Sequence, residues 1–107
     1  MAGAKIVVLY PRPKNLEAFE CAYADEHVPM VAKFEGITKF VQTKIVATPT
    51  GDPAPFQRIA ELHFPSLDIL KKAASSKDGQ AAVAHAVSIS TGGPPVLLIC
   101  EETTRIF

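Results

Sequence analysis

The spacing of apolar positions along this chain shifts from short to long period and back, and each shift marks a boundary between elements. IVVLY (6–10) is a compact β-branched run closed by Pro11, Arg12 and Pro13, the pattern of a strand that ends at proline. From Leu16 the period lengthens, and Leu16, Phe19, Tyr23, His27 and Met30 fall on one helical face. Asn15 stands where an N-cap is needed, so a helix is expected from 16 into the low thirties. Pro29 lies inside that pattern. It has no N–H, so the carbonyl of Asp25 loses its helical donor and a kink is expected near His27.

The second half repeats the alternation. ITKFVQTKIVA (37–47) and FQRIAELHF (56–64) read as strands, and the turn-rich TPTGDPAP between them makes a long hairpin. Ser66 caps a second helix carrying Leu67, Leu70 and Ala74 on one face. The helix breaks or restarts around SSKDG, and Val83, Ala86 and Val87 extend its apolar stripe. TGGPP (91–95) ends it, and VLLICEE (96–102) is the last strand. The order β-α-β-β-α-β predicts an α+β, ferredoxin-like domain over 1–107, with a four-stranded antiparallel sheet.

Two helices cover only one face of such a sheet. IVVLY and VLLIC are apolar at consecutive positions and offer hydrophobic side chains to both faces. The economical cover for the second face is another copy of the chain, laid sheet to sheet as a two-fold homodimer.

Composition adds exclusions. A formal net charge of zero, with no clustered basic run, argues against nucleic acid or an acidic membrane as the partner. No apolar run is long enough to span a bilayer, and MAGAK leads directly into a strand, without the apolar stretch of a signal peptide. The cytoplasm is the expected location. Cys21 and Cys100 sit in apolar-periodic segments and read as buried free thiols. The histidines stand apart at 27, 63 and 85, with no CxxC or HxxxH spacing, so neither a metal site nor a cofactor is expected.

With KIVVLYPRP, FEGITKFV and above all YADEHVPMV in view, the chain resembles the EthD family, named for ethyl tert-butyl ether degradation. Its tyrosine-x-x-x-histidine-x-proline pattern is similar to the family's motif. The resemblance implies a dimeric α+β barrel. It also implies a setting of oxidative ether breakdown or of polyketide and aromatic tailoring, which carries an expectation of oxidoreductase activity.

Tyr23 and His27, at i and i+4, share the helix face that turns toward the sheet. A neutral imidazole exchanges protons near pH 7, and a phenol can donate to a developing oxyanion. Together they are candidate catalytic groups for a small carbonyl compound. The competing account is a core histidine bonded to a backbone carbonyl beside an amphipathic tyrosine. Tyr10, Phe19 and Met30 are the candidate substrate contacts. Asp25 and Glu26 read as a solvated edge from which either could orient His27. Arg58 reads as an exposed hairpin arginine unless its face is buried, and His85, among alanines, as a surface residue. Which strand set of the hairpin faces the helices is open, and GGPP lacks the context of a phosphate cradle.

Three functions compete at this stage. One is proton-transfer chemistry on a small hydrophobic or carbonyl-bearing metabolite, with His27 as general acid/base. Another is a non-enzymatic accessory or binding subunit that shields a hydrophobic intermediate of an oxidative pathway. The third is a cofactor-free or haem-handling monooxygenase, with His27 as axial ligand in the haem case.

Overall fold

The computed structural model describes residues 3–107; Met1 and Ala2, the first positions of the expected domain, lie outside the described residues. Strand β1 (Gly3–Pro11) is followed by α1 (Leu16–Ala22), which runs through a π-helical turn (Tyr23–His27) into α2 (Val28–Val31). Then come β2 (Lys39–Lys44), β3 (Phe56–Phe64), α3 (Leu67–Ser75), α4 (Lys77–Ile89) and β4 (Val96–Glu102). All strand pairs are antiparallel, in the order β2-β3-β1-β4. This is the ferredoxin-like α+β fold. The expected strand over 37–47 is regular from Lys39 to Lys44, with Thr38 and Ile45 still donating to β3.

Register sorts the side chains. Ala4, Ile6, Val8 and Tyr10 face the helices and are buried, opposite Phe64, Leu62, Ala60 and Arg58 of β3. Phe40 joins them across from Leu62. The helical side of the core comes from Phe19, Tyr23, Val31, Leu70, Ala73, Ala82, Ala86 and Ile89. The other face carries Val7 and Leu9 on β1, Val41 on β2, Ile59 on β3, and Val96 and Leu98 on β4. No helix covers it. At one end of that face Lys5 Nζ bonds Glu61 at 2.8 Å and Glu102 at 3.4 Å, so the carboxylates are neutralised within the sheet. His63 joins Glu61 and Glu102 there with donor atoms within 4.8 Å of one another, a grouping that sequence spacing does not reveal. The Lys5 ammonium already lies between its acids.

Local chemistry sets the helix ends. Asn15 Oδ1 accepts from the Ala18 N–H at 3.0 Å, and Ser66 Oγ accepts from the Ile69 N–H at 3.3 Å, as the sequence leads one to expect. Ser76 makes the predicted break: its hydroxyl donates to the Ala73 carbonyl at 2.6 Å and accepts from the Gly79 N–H at 3.1 Å. One residue thus closes α3 and caps α4.

Three expectations are corrected here. Leu16 is 47% exposed, because as the first residue of α1 it borders an open depression beside the β2–β3 loop. Cys21 is exposed and Cys100 only half-buried. Cys21 lies two residues from both Phe19 and Tyr23, which on a helix is the opposite side, and Cys100 belongs to an edge strand on the uncovered face. No helix among the described residues is long and apolar enough to cross a membrane.

At the α3–α4 corner a Cβ on Gly79 would lie 2.3 Å from the Ala73 carbonyl oxygen and 2.5 Å from that of Ala74. Helix propensity alone favours alanine over glycine by about 1 kcal/mol. Steric exclusion wins, and Gly79→Ala is expected to destabilise the fold by about 2–3 kcal/mol in chemical denaturation. A neutral or stabilising result would show that the corner relaxes freely.

Candidate functional site

Pro29 is accommodated by a change of winding, without a break. The Val28 N–H donates to the Tyr23 carbonyl, an i→i−5 bond, and the helix continues through Val31. The widened turn carries Tyr23 and His27. Their rings stack at 5.9 Å between centroids and 21° between planes, and Phe19 stacks on Tyr23 at 5.8 Å and 7°. The column extends into α4: His85 stacks on His27 at 5.2 Å and 12°. Tyr10 of β1 stands edge-on to Phe19, Tyr23 and His27. Four predicted site residues, Tyr10, Phe19, Tyr23 and His27, therefore share one ring cluster. Met30 packs at the margin of the core outside it.

A chain of hydrogen bonds crosses this column. Tyr10 Oη lies 3.2 Å from His27 Nε2, His27 Nδ1 lies 3.0 Å from His85 Nδ1, and His85 Nε2 lies 3.0 Å from Glu26 Oε1. It runs from a phenol with no exposure to a carboxylate side chain that is 64% exposed. With both rings neutral, the chemistry of its outer end fixes its polarity. A carboxylate accepts and cannot donate, so His85 carries its proton on Nε2 and leaves Nδ1 bare. His27 then donates from Nδ1, and its bare Nε2 accepts the Tyr10 hydroxyl. Burial, reinforced by the neighbouring His85, pushes the His27 pKa down to about 4, so the imidazole is neutral at pH 7. Burial raises the Tyr10 pKa, and the Tyr23 oxygen adds to the rise. Burial also pushes the Tyr23 hydroxyl up to about 12, against the opposing pull of Arg58.

At the other end of the column Arg58 donates to both Glu20 oxygens, at 2.8 and 3.1 Å, with its guanidinium carbon 5.4 Å from the centre of the Tyr23 ring. Arg58 is thus a half-buried clamp on the helix side of the sheet, where an exposed hairpin arginine was the commoner expectation. The Tyr23 hydroxyl is buried and has no hydrogen-bond partner among the described residues.

A cavity of about 30 Å³ lies between sheet and helices, lined by His27 together with Ile6, Val8, Val31, Leu62 and Leu97, among other apolar groups. Its rim carries Val83 of α4 and Leu97 of β4, 42% and 40% exposed, so its mouth opens between that helix and the edge strand. His27 is the only member of the ring cluster on its wall. A larger depression of about 510 Å³ beside the β2–β3 loop touches no residue of the cluster.

The surface assignment of His85 is corrected by this geometry. Its side chain is 16% exposed and bonds the central imidazole. A signal was present: His85 is three residues after Ala82 and four before Ile89, on the edge of the buried stripe of α4. Glu26 acts on His27 only through His85, which no local pattern announces.

The sequence profile of the EthD domain matches residues 12–87, most of the chain. The chain belongs to the EthD family. It is 29% identical over 99 residues to an uncharacterized 11.0 kDa protein from the thcB–thcC intergenic region of Rhodococcus erythropolis, covering 92% of this chain and 95% of that one. The crystal structure of an EthD family protein from Bacillus halodurans matches it with a TM-score of 0.88 at 28% identity, over 96% of this chain and 100% of the other. At lower identity the likeness is one of fold. A dimeric ferredoxin-like protein from Jannaschia sp. matches at a TM-score of 0.66 and 15% identity, over 95% and 100% of the two chains. SnoaB, a cofactor-independent oxygenase from Streptomyces nogalater, matches at 0.67 and 9%, over 100% and 97%.

The buried imidazole makes this EthD-family chain acid-sensitive in a defined window. Because the folded pKa of His27 lies below the unfolded value, the unfolded chain binds the extra proton first. Stability is full above the ordinary histidine value of 6.5 and falls until the pH reaches about 4, a loss of about 3 kcal/mol. Denaturation of the protein and of His27→Phe at pH 7 and pH 4 measures it. The variant keeps the stacked ring and is expected to lose less stability on acidification by that amount. Equal losses would mean that His27 is already protonated in the fold.

Proposed function

We propose that this chain acts as a sheet-to-sheet homodimer that binds a small hydrophobic metabolite bearing a carbonyl or phenolic oxygen, and moves a proton at that ligand through His27. The observation that carries the reading is a neutral, buried imidazole on the wall of an otherwise apolar cavity, linked by hydrogen bonds to solvent. An apolar pocket with a few convergent polar groups and a strongly shifted histidine is the usual setting of proton transfer. The apolar rim at Val83 and Leu97 suits the body of such a ligand. Its polar head would go inward, toward His27 on the cavity wall. The reading includes a cytoplasmic setting, in which two free cysteines stay reduced, and a place in a degradative or tailoring pathway.

The dimer follows from the uncovered sheet face. Val7, Leu9, Val41, Ile59, Val96 and Leu98 form an apolar surface of the kind that soluble monomers avoid, and an identical copy of the face covers it. The dimeric ferredoxin-like protein of the same fold supports this arrangement.

A second reading, a binding or accessory subunit without turnover, draws on one feature of the site. Both nitrogens of His27 are already engaged, and the cavity of about 30 Å³ admits one polar atom but not a whole ligand. Binding under this reading shields the ligand and leaves it unchanged.

Light scattering is expected to give about twice the 11.5 kDa chain mass, and a clean monomer would refute the dimer. The chain has no tryptophan, so Leu97→Trp places a single reporter at the cavity mouth. Its fluorescence is expected to shift on titration with small aryl ketones or naphthols. His27→Ala in that background should weaken binding or abolish turnover while keeping the dimer. Unchanged affinity and turnover, with only a lower Tm, would leave His27 a packing residue.

A further inference from the structure

Resting on that reading, we propose that Glu26 and His85 are positioning residues that hold His27 in its Nδ1-protonated tautomer, and that Glu26, His85, His27 and Tyr10 form a directional proton path from the solvent edge to the buried site. The three links measure 3.0, 3.0 and 3.2 Å, and they run from one side of the helical layer to the central strand. No link is a contact between sequence neighbours. Glu26 sits in the π turn, His85 in α4 and Tyr10 at the end of β1, so three separate elements converge to make the path.

The polarity has a chemical consequence. In the resting state every hydrogen in the chain points outward, from Tyr10 toward Glu26, which primes the path to remove a proton from the site. The Tyr10 hydroxyl is the donor that His27 Nε2 must release before it can take a proton from a ligand. When a ligand C–H or O–H at the cavity wall displaces that hydroxyl, the ligand's proton passes to His27 Nε2. The Nδ1 proton of His27 passes to His85 Nδ1, and the Nε2 proton of His85 passes to Glu26. The ligand is left as an enolate or phenolate, and the path now points inward. The reverse passage returns one proton to a different ligand atom and restores the resting state.

One proton leaves and one returns, with no oxidant or reductant. The substrate class is a neutral carbonyl compound with an acidified C–H, and the reaction is a tautomerisation, an isomerisation or an internal aldol addition. Burial of the two rings disfavours stopping the proton on His27, so the shifts are coupled.

The test is the nitrogen-15 imidazole spectrum of the ligand-free protein at pH 8. Free histidine favours the Nε2-protonated form, so an Nδ1-protonated His27 is a specific signature of the path. His85→Phe keeps a ring against His27 but removes the acceptor, and is expected to convert His27 to the Nε2-protonated tautomer. Glu26→Ala, at an exposed position, should give a mixture. Tyr10→Phe should leave the Nδ1-protonated form in place, because the tautomer is set from the outer end. An Nε2-protonated His27 in the parent protein, or a tautomer indifferent to both His85→Phe and Glu26→Ala, overturns the proposal. Since no ligand is present, this result is independent of the binding titration. Loss of binding selectivity for carbonyl compounds would instead bring down the function reading while the tautomer lock stood.

Discussion

A buried imidazole has two nitrogens to satisfy, and in this chain the two partners come from opposite layers. Tyr10 reaches up from the sheet and His85 reaches across from α4, each within 3.2 Å of the His27 ring. An unpaired buried polar atom costs about 1–3 kcal/mol. The placement of the helices over the sheet is therefore constrained at the His27 ring, beyond what apolar packing requires. Oil-like contacts between alanines and leucines would tolerate a small slide of α4. Two directional bonds to one ring do not.

The seat of that ring depends on the winding of the first helix. Pro29 forbids a regular α-helical bond to Asp25, and the helix answers with a wider turn that keeps every residue from Leu16 to Val31 in one continuous element. Widening the turn over Tyr23–His27 places the two side chains nearly parallel, and with Phe19 and His85 they make a four-ring column. Such a column buries large flat surfaces and leaves the polar edges of its rings free to bond sideways. That division lets an apolar core contain a path of proton carriers without opening to water.

How far the sequence could carry this is clear from particular residues. The face of Phe19, Tyr23 and His27 was legible because helical spacing over a dozen residues is a strong signal, and the caps at Asn15 and Ser66 are set by local chemistry. The β-α-β-β-α-β order followed from the same periodicities. His85 was not legible as a partner, since α4 is rich in alanine, and alanine reads the same on its buried side (Ala82, Ala86) and its exposed side (Ala81, Ala84). Cys21 misled for a related reason: residue type suggested burial, while its angular position pointed away. The contact between Tyr10 and His27 depends on how β1 and the helix are laid together, which no local pattern encodes.

The two faces of β1 tie assembly to the site. Alternate residues of one strand serve separate ends: Ala4, Ile6, Val8 and Tyr10 look toward the helices, while Lys5, Val7 and Leu9 look toward the uncovered face. Tyr10 is held in register by Arg58 on the neighbouring strand, and Arg58 in turn grips Glu20 beside Tyr23. Any partner that packs against Val7 and Leu9 stiffens the strand that carries the inner end of the proton path. An isolated copy would keep the hydrogen bonds but lose that backing. The residue pattern that demands a cover for the sheet and the pattern that builds the site are thus written on the same nine residues of one strand, at alternate positions.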